Sequence, residues 1–300
     1  MDRYEFEVLS YLETNKTDRF SVRSMSDFLL LSDTVVMKCI ESLTDNGCII
    51  KEGNIYRVTE LGEKALEPYT VKRAVVLAAG FGSRMMPATE NIPKPMVTVN
   101  GVRIIDTLLD ALVIAGINDI TIVGGYRFES LKELQKKYPF VRLIENKDYA
   151  VTNNISSIML AKDAFHSGCY LCEADLYISN PGIITKYQYS SNILGSYSLA
   201  TDDWSFKMEN GLIADYRKGN TYCYNYYGIS YWTPEDCKKL RDDFTEIYNA
   251  EGGKDYFWEF VPLVLKKDNY DVEVRPCRKQ DIIEIDNYYE LAMLDESYRS

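Results

Sequence analysis

The sequence predicts an α/β fold in which a mostly parallel, doubly wound sheet occupies residues 71–300, behind a small separate domain at residues 1–70. Residues 74–79 form a short apolar run between turn formers, which is typical of a buried parallel strand. From Lys72 onward, strand patterns and helix patterns alternate, as they do in sheets covered by helices on both faces. The first seventy residues instead show helical patterns followed by two short strands.

The elements predicted for the first domain are three helices, a hairpin and a helical tail, at residues 4–12, 24–31, 34–43, 48–58 and 59–66. Residues 24–27 supply the predicted cap of the second helix, and Ser32-Asp33 that of the third. A Gly53-Asn54 turn joins the two strands. This order resembles a winged helix-turn-helix domain, with residues 68–72 as the linker to the second domain.

The charge of the first domain argues against DNA as its partner. Residues 1–70 hold eight Lys and Arg against thirteen Asp and Glu. The presumed recognition helix carries one base, Lys38, with Glu41 and Asp45 nearby, whereas DNA-reading helices normally present a basic face. DNA binding by residues 1–70 therefore stays open but is disfavoured, and a docking or dimerisation module is the better expectation.

The second domain places polar residues where its predicted strands end. Helices are predicted at residues 104–115, 129–138 and 154–164, and strands at residues 120–123, 141–144 and 168–172. Ligands of such sheets bind at the carboxyl ends of the strands. Gly124-Gly125-Tyr126 and Asp175 both follow strands, so we expect them to meet the loop that comes after residues 74–79.

That loop has the composition of a phosphate cradle. Gly80 and Gly82 let backbone N–H groups approach an anion, and Arg84 and Lys94 supply cations, Lys94 lying between two prolines that stiffen the chain. The alternative is an ordinary loop whose basic residues are merely solvated. The pattern matches neither the P-loop nor the dinucleotide-binding glycine motif.

The stretch from Leu77 to Met96 resembles the signature LAAGxGxRxxPxTxxxPKPM of the sugar-1-phosphate nucleotidyltransferase superfamily. The resemblance implies a Rossmann-like nucleotidyltransferase fold and an acceptor phosphate that attacks the α-phosphorus of a nucleoside triphosphate. It also implies that Arg84 and the loop amides hold the β- and γ-phosphates, and that Lys94 bridges the α-phosphate and the acceptor. For the base it implies Leu77, Ala79, Gly80 and Gly82 together with Tyr126, Asn153 and Asn154, although asparagines before a helix also serve as caps.

Two separate strands end in carboxylates that could share a metal ion. Asp175 follows a buried strand directly, and the alternation of residues 282–286 places Glu284 and Asp286 on one face. Mg²⁺ prefers such hard oxygen ligands, but an aspartate at a strand end or before a helix is also a common structural feature. In the superfamily an aspartate at each of these places binds the metal, which implies Mg²⁺ on Asp175 and Asp286.

The three tryptophans suggest the acceptor. Trp204, Trp232 and Trp258 each stand beside a carboxylate or another aromatic residue, a combination that suits a quaternary ammonium, although core packing is the alternative. Residues 73–294 resemble the CTP:phosphocholine cytidylyltransferases of the LicC type, which implies CTP and phosphocholine as substrates and a choline pocket of these tryptophans with Glu284. Gly124-Gly125 and Cys172-Glu173 depart from the usual pattern of that family. A sugar-1-phosphate or inositol-1-phosphate acceptor, and a metabolite-sensing transcriptional regulator, are the competing hypotheses.

Composition excludes several other classes of protein. A net charge of −11 gives no global attraction to nucleic acid or anionic lipid. No apolar run reaches the length of about 18 residues that suggests a membrane span, so we expect a cytoplasmic protein without membrane contact. Seven cysteines without framework spacing predict reduced thiols, and Cys169 and Cys172 lack the second pair that a zinc site needs. The sequence leaves the oligomeric state open, a homodimer included.

Overall fold

The computed structural model describes residues 1–16, 21–53 and 55–299, and Asn54 of the predicted hairpin turn lies outside them. The chain divides into two compact units. One contains Met1–Thr70 together with Tyr187–Tyr189, and the other contains Val71–Lys186 and Ser190–Ser300. Within the described part, no helix combines the length and the apolar character needed to cross a bilayer.

The first unit contains helices and one hairpin: α1 (Arg3–Thr14), α2 (Val22–Leu29), α3 (Asp33–Asp45), β1 (Ile49–Glu52), β2 (Ile55–Val58) and α4 (Glu60–Leu66). The predicted cap of α3 is confirmed, since the Ser32 side chain accepts from the amide of Val35. The predicted cap of α2 is wrong. Ser21 caps this helix, and Ser24 is its third residue, whose hydroxyl reciprocates in a capping box.

Two tyrosines from the middle of the chain complete the core of the first unit. The Tyr189 ring stacks on Tyr69 with centroids 5.4 Å apart, and it also lies 5.3 Å from the ring of Phe6. Tyr187 is buried in the same apolar cluster as Leu9. Residues far apart in sequence therefore share the core of this unit.

The second unit contains strands β3 (Arg73–Ala78), β4 (Thr98–Val99), β5 (Val102–Arg103), β6 (Asp119–Gly124), β7 (Arg142–Glu145), β8 (Cys169–Glu173), β9 (Leu176–Ile178), β10 (Asn192–Glu209), β11 (Leu212–Trp232), β12 (Glu273–Pro276) and β13 (Ile282–Glu284). Among the described residues the main sheet has the order β10-β12-β11-β8-β3-β6-β7. Strands β8, β3, β6 and β7 are mutually parallel, and β11 joins β8 antiparallel. β9 pairs with β13, and β4 pairs with β5.

Helices cover both faces of this sheet, which confirms the predicted fold class. They are α5 (Ile104–Ile114), α6 (Leu134–Lys137), α7 (Ile155–Leu160), α8 (Pro234–Asn249) and α9 (Tyr288–Leu294). Val76 of β3 packs with Leu108 of α5 in one apolar cluster, whereas Val75 packs with Leu240 of α8 in another. Successive residues of a strand point to opposite faces, so a continuous apolar strand needs both layers.

Two predicted helices are shorter than expected. Residues 128–133 form a tight 3₁₀ turn ahead of α6, and α7 ends at Leu160 before another such turn at residues 162–164. Neither short helix has a side-chain cap at its first residue. Periodicity of apolar residues therefore located these segments but did not give their extent.

The cysteines are free thiols, as predicted. Cys169 and Cys172 are buried on β8 but belong to different apolar clusters, one on each face of the sheet, which separates their sulfur atoms by the sheet itself. His166 is exposed, and its ring contacts the Arg73 guanidinium.

Candidate active site

The loop after β3 is folded tightly around its lysine. Gly82 has a φ of +62°, a conformation that is unfavourable for any L-residue with a side chain. A Cβ placed on Gly82 would also lie 2.7 Å from the Cβ of Lys94. The Thr89 hydroxyl donates to the carbonyl of Gly82 at 2.8 Å and closes the loop across its middle. We call residues 80–95 the phosphate loop. Its glycine is required both by backbone conformation and by the proximity of Lys94.

A second chain segment brings a carboxylate to this loop. β13 runs antiparallel to β9, with Glu284 opposite Leu176, so the residues after β13 lie beside those before β9. Met85 of the phosphate loop packs with Ile285 and Leu291 in a small buried cluster. This packing fixes Asp286 next to the cations of the loop and close to Asp175.

Four of the predicted catalytic residues meet in one ionic cluster. Lys94 Nζ lies 2.9 Å from Asp175 Oδ2 and 3.5 Å from Asp286 Oδ1, and Arg84 Nη2 lies 2.9 Å from Asp286 Oδ1. Lys94 is only 7% exposed. Burial alone would lower the pKa of Lys94, but the carboxylates of Asp175 and Asp286 outweigh it and raise the pKa, so the ammonium stays charged.

The carboxylates of Asp175, Glu284 and Asp286 fit a divalent cation. One oxygen from each lies within 4.8 Å of the others, and Asp175 Oδ1 is buried without a hydrogen-bond partner among the described residues. Withdrawal from bulk water and the charges of Asp175 and Asp286 raise the pKa of Glu284 to about 8. A bound cation would relieve both the repulsion and the unpaired oxygen, and all the donor atoms are the hard oxygens that Mg²⁺ prefers.

A cavity of about 420 Å³ opens next to this cluster, at the carboxyl ends of β3 and β8. Arg84, Lys94, Asp175 and Asp286 all line it. Of the residues predicted to bind the nucleotide, six also line it: Leu77, Ala79, Gly80, Gly82, Asn153 and Asn154. We call it the large cavity, and its position follows the rule that ligands bind at the carboxyl edge of a parallel sheet.

Tyr126 is the predicted nucleotide-binding residue that does not line the large cavity. Its hydroxyl donates to the carbonyl of Glu90 at 2.8 Å, and its ring lies 5.5 Å from that of Phe81. Tyr126 therefore braces the phosphate loop from outside. In this structure Tyr126 contacts the loop backbone and not the space of the large cavity.

Asn153 and Asn154 line the large cavity, and their side chains also form hydrogen bonds with the backbone of residues 255–258. Asn154 Oδ1 accepts from the amide of Trp258 at 2.8 Å, and Asn153 Nδ2 donates to the carbonyl of Asp255 at 3.1 Å. Neither side chain caps α7. Sequence reasoning missed Asn146, which lies directly after β7 and donates to Ser156 Oγ at 2.9 Å inside the same cavity wall. Its position at a strand end was the available signal.

A second, smaller cavity of about 100 Å³ adjoins the large one, and we call it the acid-aromatic cavity. Its wall consists of four carboxyl residues, four aromatic rings and a glycine: Glu173, Asp203, Glu259, Glu284, Trp204, Tyr216, Tyr226, Phe257 and Gly228. Glu173 and Phe257 line both cavities. In the described residues no lysine or arginine lines the smaller one, so its occupant should be a cation.

Burial and mutual proximity disfavour the charged form of the acids in this cavity. Burial raises the pKa of Glu173 well above its ordinary value, and the neighbouring Glu259 carboxylate adds to the shift. Burial likewise raises the pKa of Glu259. The pKa of Tyr226 is raised by burial and then by these two acids, and its hydroxyl donates to Glu259 Oε1 at 2.9 Å. A cation in the cavity would offset this cost, because it favours the ionised form of the neighbouring carboxyl groups.

Trp232 and Trp258 do not line the acid-aromatic cavity, in contrast to the sequence prediction. Both are fully buried, with ring centroids 6.3 Å apart in an edge-to-face arrangement in the apolar cluster under α8. Trp204 does line the cavity, as predicted. Of two neighbouring residues, Trp258 packs in the core and Glu259 faces the cavity. The sequence prediction named Trp258 and not Glu259, because side-chain directions in this segment cannot be read from the sequence.

Comparison with known proteins places this geometry in a family. The Nucleotidyl transferase family matches residues 73–168. A 2-aminoethylphosphonate cytidylyltransferase from Lancefieldella rimae is 38% identical over 228 residues, which cover 75% of this chain and 92% of that protein. A choline-phosphate cytidylyltransferase from Streptococcus pneumoniae is 30% identical over 233 residues, covering 75% and 97% of the two chains.

Solved structures show the same relationship. The CTP:phosphocholine cytidylyltransferase LicC from Streptococcus pneumoniae superposes with a TM-score of 0.70 at 29% identity, covering 75% of this chain and 98% of that one. The inositol-1-phosphate CTP transferase from T. maritima shares the fold, with a TM-score of 0.62 at 17% identity and coverage of 77% and 94%. With its ionic cluster at the carboxyl edge of a mostly parallel sheet, the chain is a nucleotidyltransferase that belongs to the cytidylyltransferase family.

Proposed function

We propose that this enzyme transfers the cytidylyl group of CTP to a phosphate or phosphonate oxygen of a small compound that carries a cationic amine. The observation that carries the proposal is the adjacency of two features. The Lys94-centred ionic cluster lies in the wall of the large cavity, and the acid-aromatic cavity shares Glu173 and Phe257 with that wall. One cavity suits a triphosphate, and the other suits the cationic end of an acceptor.

The reaction needs positioning and charge neutralisation more than acid–base chemistry. An acceptor oxygen that is already anionic attacks the α-phosphorus in line, a new P–O bond forms, and the bond to the β-phosphate oxygen breaks to release pyrophosphate. Arg84 and the amides of the phosphate loop would hold the β- and γ-phosphates. Lys94 would contact both the α-phosphate and the acceptor, where negative charges must approach one another.

Asp175 and Asp286, with Glu284 beside them, would hold Mg²⁺. The ion would neutralise charge on the triphosphate when bound. The unpaired Asp175 Oδ1 and the closeness of the three carboxylates support this assignment. Lys94 and Arg84 form ion pairs with Asp175 and Asp286 and so orient these two carboxylates.

Two acceptors suit the acid-aromatic cavity. Phosphocholine is the acceptor implied by the sequence, and choline phosphate is named for the relative from Streptococcus pneumoniae. The relative from Lancefieldella rimae is named for 2-aminoethylphosphonate. Both compounds carry a cation and a phosphorus acid at opposite ends of a short chain. The cation would enter the acid-aromatic cavity, and the phosphorus acid would lie in the large cavity beside it. The hydroxyl groups of a sugar phosphate can hydrogen-bond to carboxyl groups, but they bring no positive charge to the four that line this small space.

For the first unit we propose a winged-helix module that docks another protein or a second copy of this chain. The order of α1, α2, α3 and the β1–β2 hairpin supports the winged-helix assignment. Glu41 and Asp45 are exposed on α3, the helix that would enter the major groove, and their charge disfavours DNA.

The test is pyrophosphate release with Mg²⁺ by the full-length enzyme. CTP, UTP, dTTP and ATP are each offered with phosphocholine, 2-aminoethylphosphonate, glucose-1-phosphate and inositol-1-phosphate. We expect turnover with CTP and one or both amines, and its loss in Asp175→Asn. Turnover confined to a sugar or inositol phosphate would overturn the proposed acceptor class, and preference for another nucleotide would overturn the proposed donor.

A further inference from the structure

The acid-aromatic cavity contains a buried acceptor atom that no donor satisfies. Glu259 is only 3% exposed, and its Oε1 accepts from the Tyr226 hydroxyl. Its Oε2 is also buried and, among the residues that the structure describes, has no permanent hydrogen-bond donor; the neighbouring Glu173 carboxyl could donate only when protonated. Buried carboxylate oxygens are nearly always hydrogen-bonded, because an unpaired one loses water without compensation. The natural donor is a group that arrives with the substrate.

We propose that Glu259 selects the acceptor by hydrogen bonding its amine, so that the enzyme prefers a primary ammonium to a quaternary one. This inference rests on the proposed function, because it identifies the occupant of the same cavity. A primary ammonium offers three N–H donors, whereas a trimethylammonium offers none. Only the primary ammonium can satisfy Glu259 Oε2 while also neutralising the charge of the cavity.

The aromatic rings of the acid-aromatic cavity do not form the cage around a quaternary ammonium that the resemblance implied. The Trp204 and Tyr216 rings stack on each other, with centroids 5.0 Å apart and planes 17° apart, so each uses one face for its neighbour. Tyr226 points its hydroxyl to Glu259. Trp232 and Trp258, which would have completed a cage, lie in the core. Recognition through carboxylates therefore outweighs recognition through π-faces.

The wall formed by Glu173 cannot retreat to admit a larger head group. Gly228 lies so close to Glu173 that a Cβ placed on it would approach the Glu173 carboxylate to 2.4 Å. The glycine thus allows the Glu173 carboxylate to sit against the backbone of β11, with no further space behind it. In a cavity of about 100 Å³, each added methyl group competes with this fixed wall and removes one donor.

The experiment varies the number of donors while the phosphorus group stays constant. Phosphoethanolamine, its N-methyl and N,N-dimethyl derivatives and phosphocholine carry three, two, one and no N–H groups. The same series is made on 2-aminoethylphosphonate, and kcat/KM is measured for each with CTP and Mg²⁺. We expect kcat/KM to fall with every methyl group, by about 100-fold or more from first to last, because a site built for hydrogen bonds rejects ligands that lack them.

The outcomes separate this inference from the proposed function. A flat series, or one that rises toward the trimethyl compound, overturns the selection by Glu259 but keeps the cytidylyltransferase. Absence of turnover with every member of both series overturns the proposed function itself.

Glu259→Gln tests the residue directly, because glutamine preserves the size of the side chain but removes its charge. We expect kcat/KM for the primary amine to fall by about 100-fold and that for the trimethyl compound to change much less, so that the slope of the series collapses. A purely structural role for Glu259 would lower all members equally. Glu251→Gln, an exposed glutamate outside both cavities, is the matched control and should leave the series unchanged.

Discussion

Lys94 and Asp175 form a partly buried ion pair with Nζ and Oδ2 separated by 2.9 Å, although the two residues lie 81 positions apart in the chain. The pair unites the end of the phosphate loop with the end of β8. Because Asp286 approaches the same ammonium at 3.5 Å, one lysine neutralises two carboxylates that would otherwise repel. The cluster is therefore stable before any substrate enters, and its cation faces a cavity wide enough for a triphosphate.

Replacing Lys94 by methionine should abolish most of the activity. Methionine occupies a similar volume, but it removes the cation paired with Asp175, leaves Asp286 paired with Arg84, and takes a cation away from the reacting phosphates. We expect kcat/KM to fall by about 10²–10³, the usual effect of removing one electrostatic group from an active site. Lys132→Met, which removes an exposed lysine paired with Glu129, is the control and should behave like wild type. Activity within about threefold of wild type in Lys94→Met would contradict the assignment.

Gly82→Ala should lower activity because the new Cβ would press on Lys94, and Gly101→Ala serves as the comparison that separates this effect from backbone strain. Both Gly82 and Gly101 have positive φ, so an alanine at either position should cost about 1 kcal/mol of folding free energy through backbone strain. Only at Gly82 would the new Cβ press on Lys94, since nothing lies within 4 Å of a Cβ at Gly101. Thermal denaturation should therefore show a larger loss for Gly82→Ala than for Gly101→Ala, and kcat should fall only for Gly82→Ala. Equal activity in the two variants would contradict the proposed packing.

The tryptophans should separate into one substrate contact and two core residues. Trp258→Ala leaves a large hole in the apolar cluster and should destabilise the protein by about 3–5 kcal/mol. Trp204→Ala should destabilise it less, since Trp204 is only partly buried, and should raise KM for the acceptor without changing KM for CTP. Chemical denaturation and steady-state kinetics measure these two effects. A selective rise of acceptor KM in the milder Trp258→Phe would show that the tryptophan reaches the substrate after all.

The thiols should be slow to react in the native protein. Burial raises the pKa of Cys169 to about 12 and that of Cys277 to about 11, so at pH 8 almost none of either is thiolate. Reaction with a disulfide reagent should speed up as the pH rises toward these values. The half-buried Cys48 and Cys277 should react before the others, and all seven should react in denaturant. Fewer than seven in denaturant without reductant would indicate a disulfide.

Removing divalent cations should stop turnover, and the effect should trace to Asp175 and Asp286. Binding of Mn²⁺, followed by electron paramagnetic resonance in the presence of CTP, gives a readout independent of catalysis. Asp286→Asn should weaken this binding, because an amide oxygen carries no net charge. Asp215→Asn, an acidic residue on β11 outside both cavities, should leave it unchanged. Undiminished Mn²⁺ binding in Asp286→Asn would remove this residue from the ligand set.

Sequence reasoning found the residues that obey simple rules. Gly82, Arg84, Lys94 and Asp175 lie in a loop or at a strand end, where topology alone determines which edge of the sheet they reach. It failed for Trp258 and Glu259, because these neighbours belong to a compact irregular segment whose side-chain directions have no fixed period. The acid-aromatic cavity also depends on β10 and β11, whose pairing shifts register several times, and such shifts leave no reliable trace in the pattern of apolar residues.

The same limit explains the misplaced start of α2 and the contact of Tyr126. Both Ser21 and Ser24 are good caps in isolation, and the choice between them depends on the hydrogen bonds that each completes. Tyr126 follows the end of β6, as predicted, but its hydroxyl donates to the carbonyl of Glu90, thirty-six positions away in the chain. Which acceptor a tyrosine hydroxyl finds depends on the three-dimensional fold, and the local sequence pattern does not contain this information.

Tyr187 and Tyr189 belong to the core of the first unit although they are encoded within the second. The two units are therefore interlaced along the gene, and a cut after Thr70 would not separate them cleanly. Such a truncation would strip Tyr189 of its stacking partner Tyr69 and leave an aromatic segment exposed in the remaining enzyme.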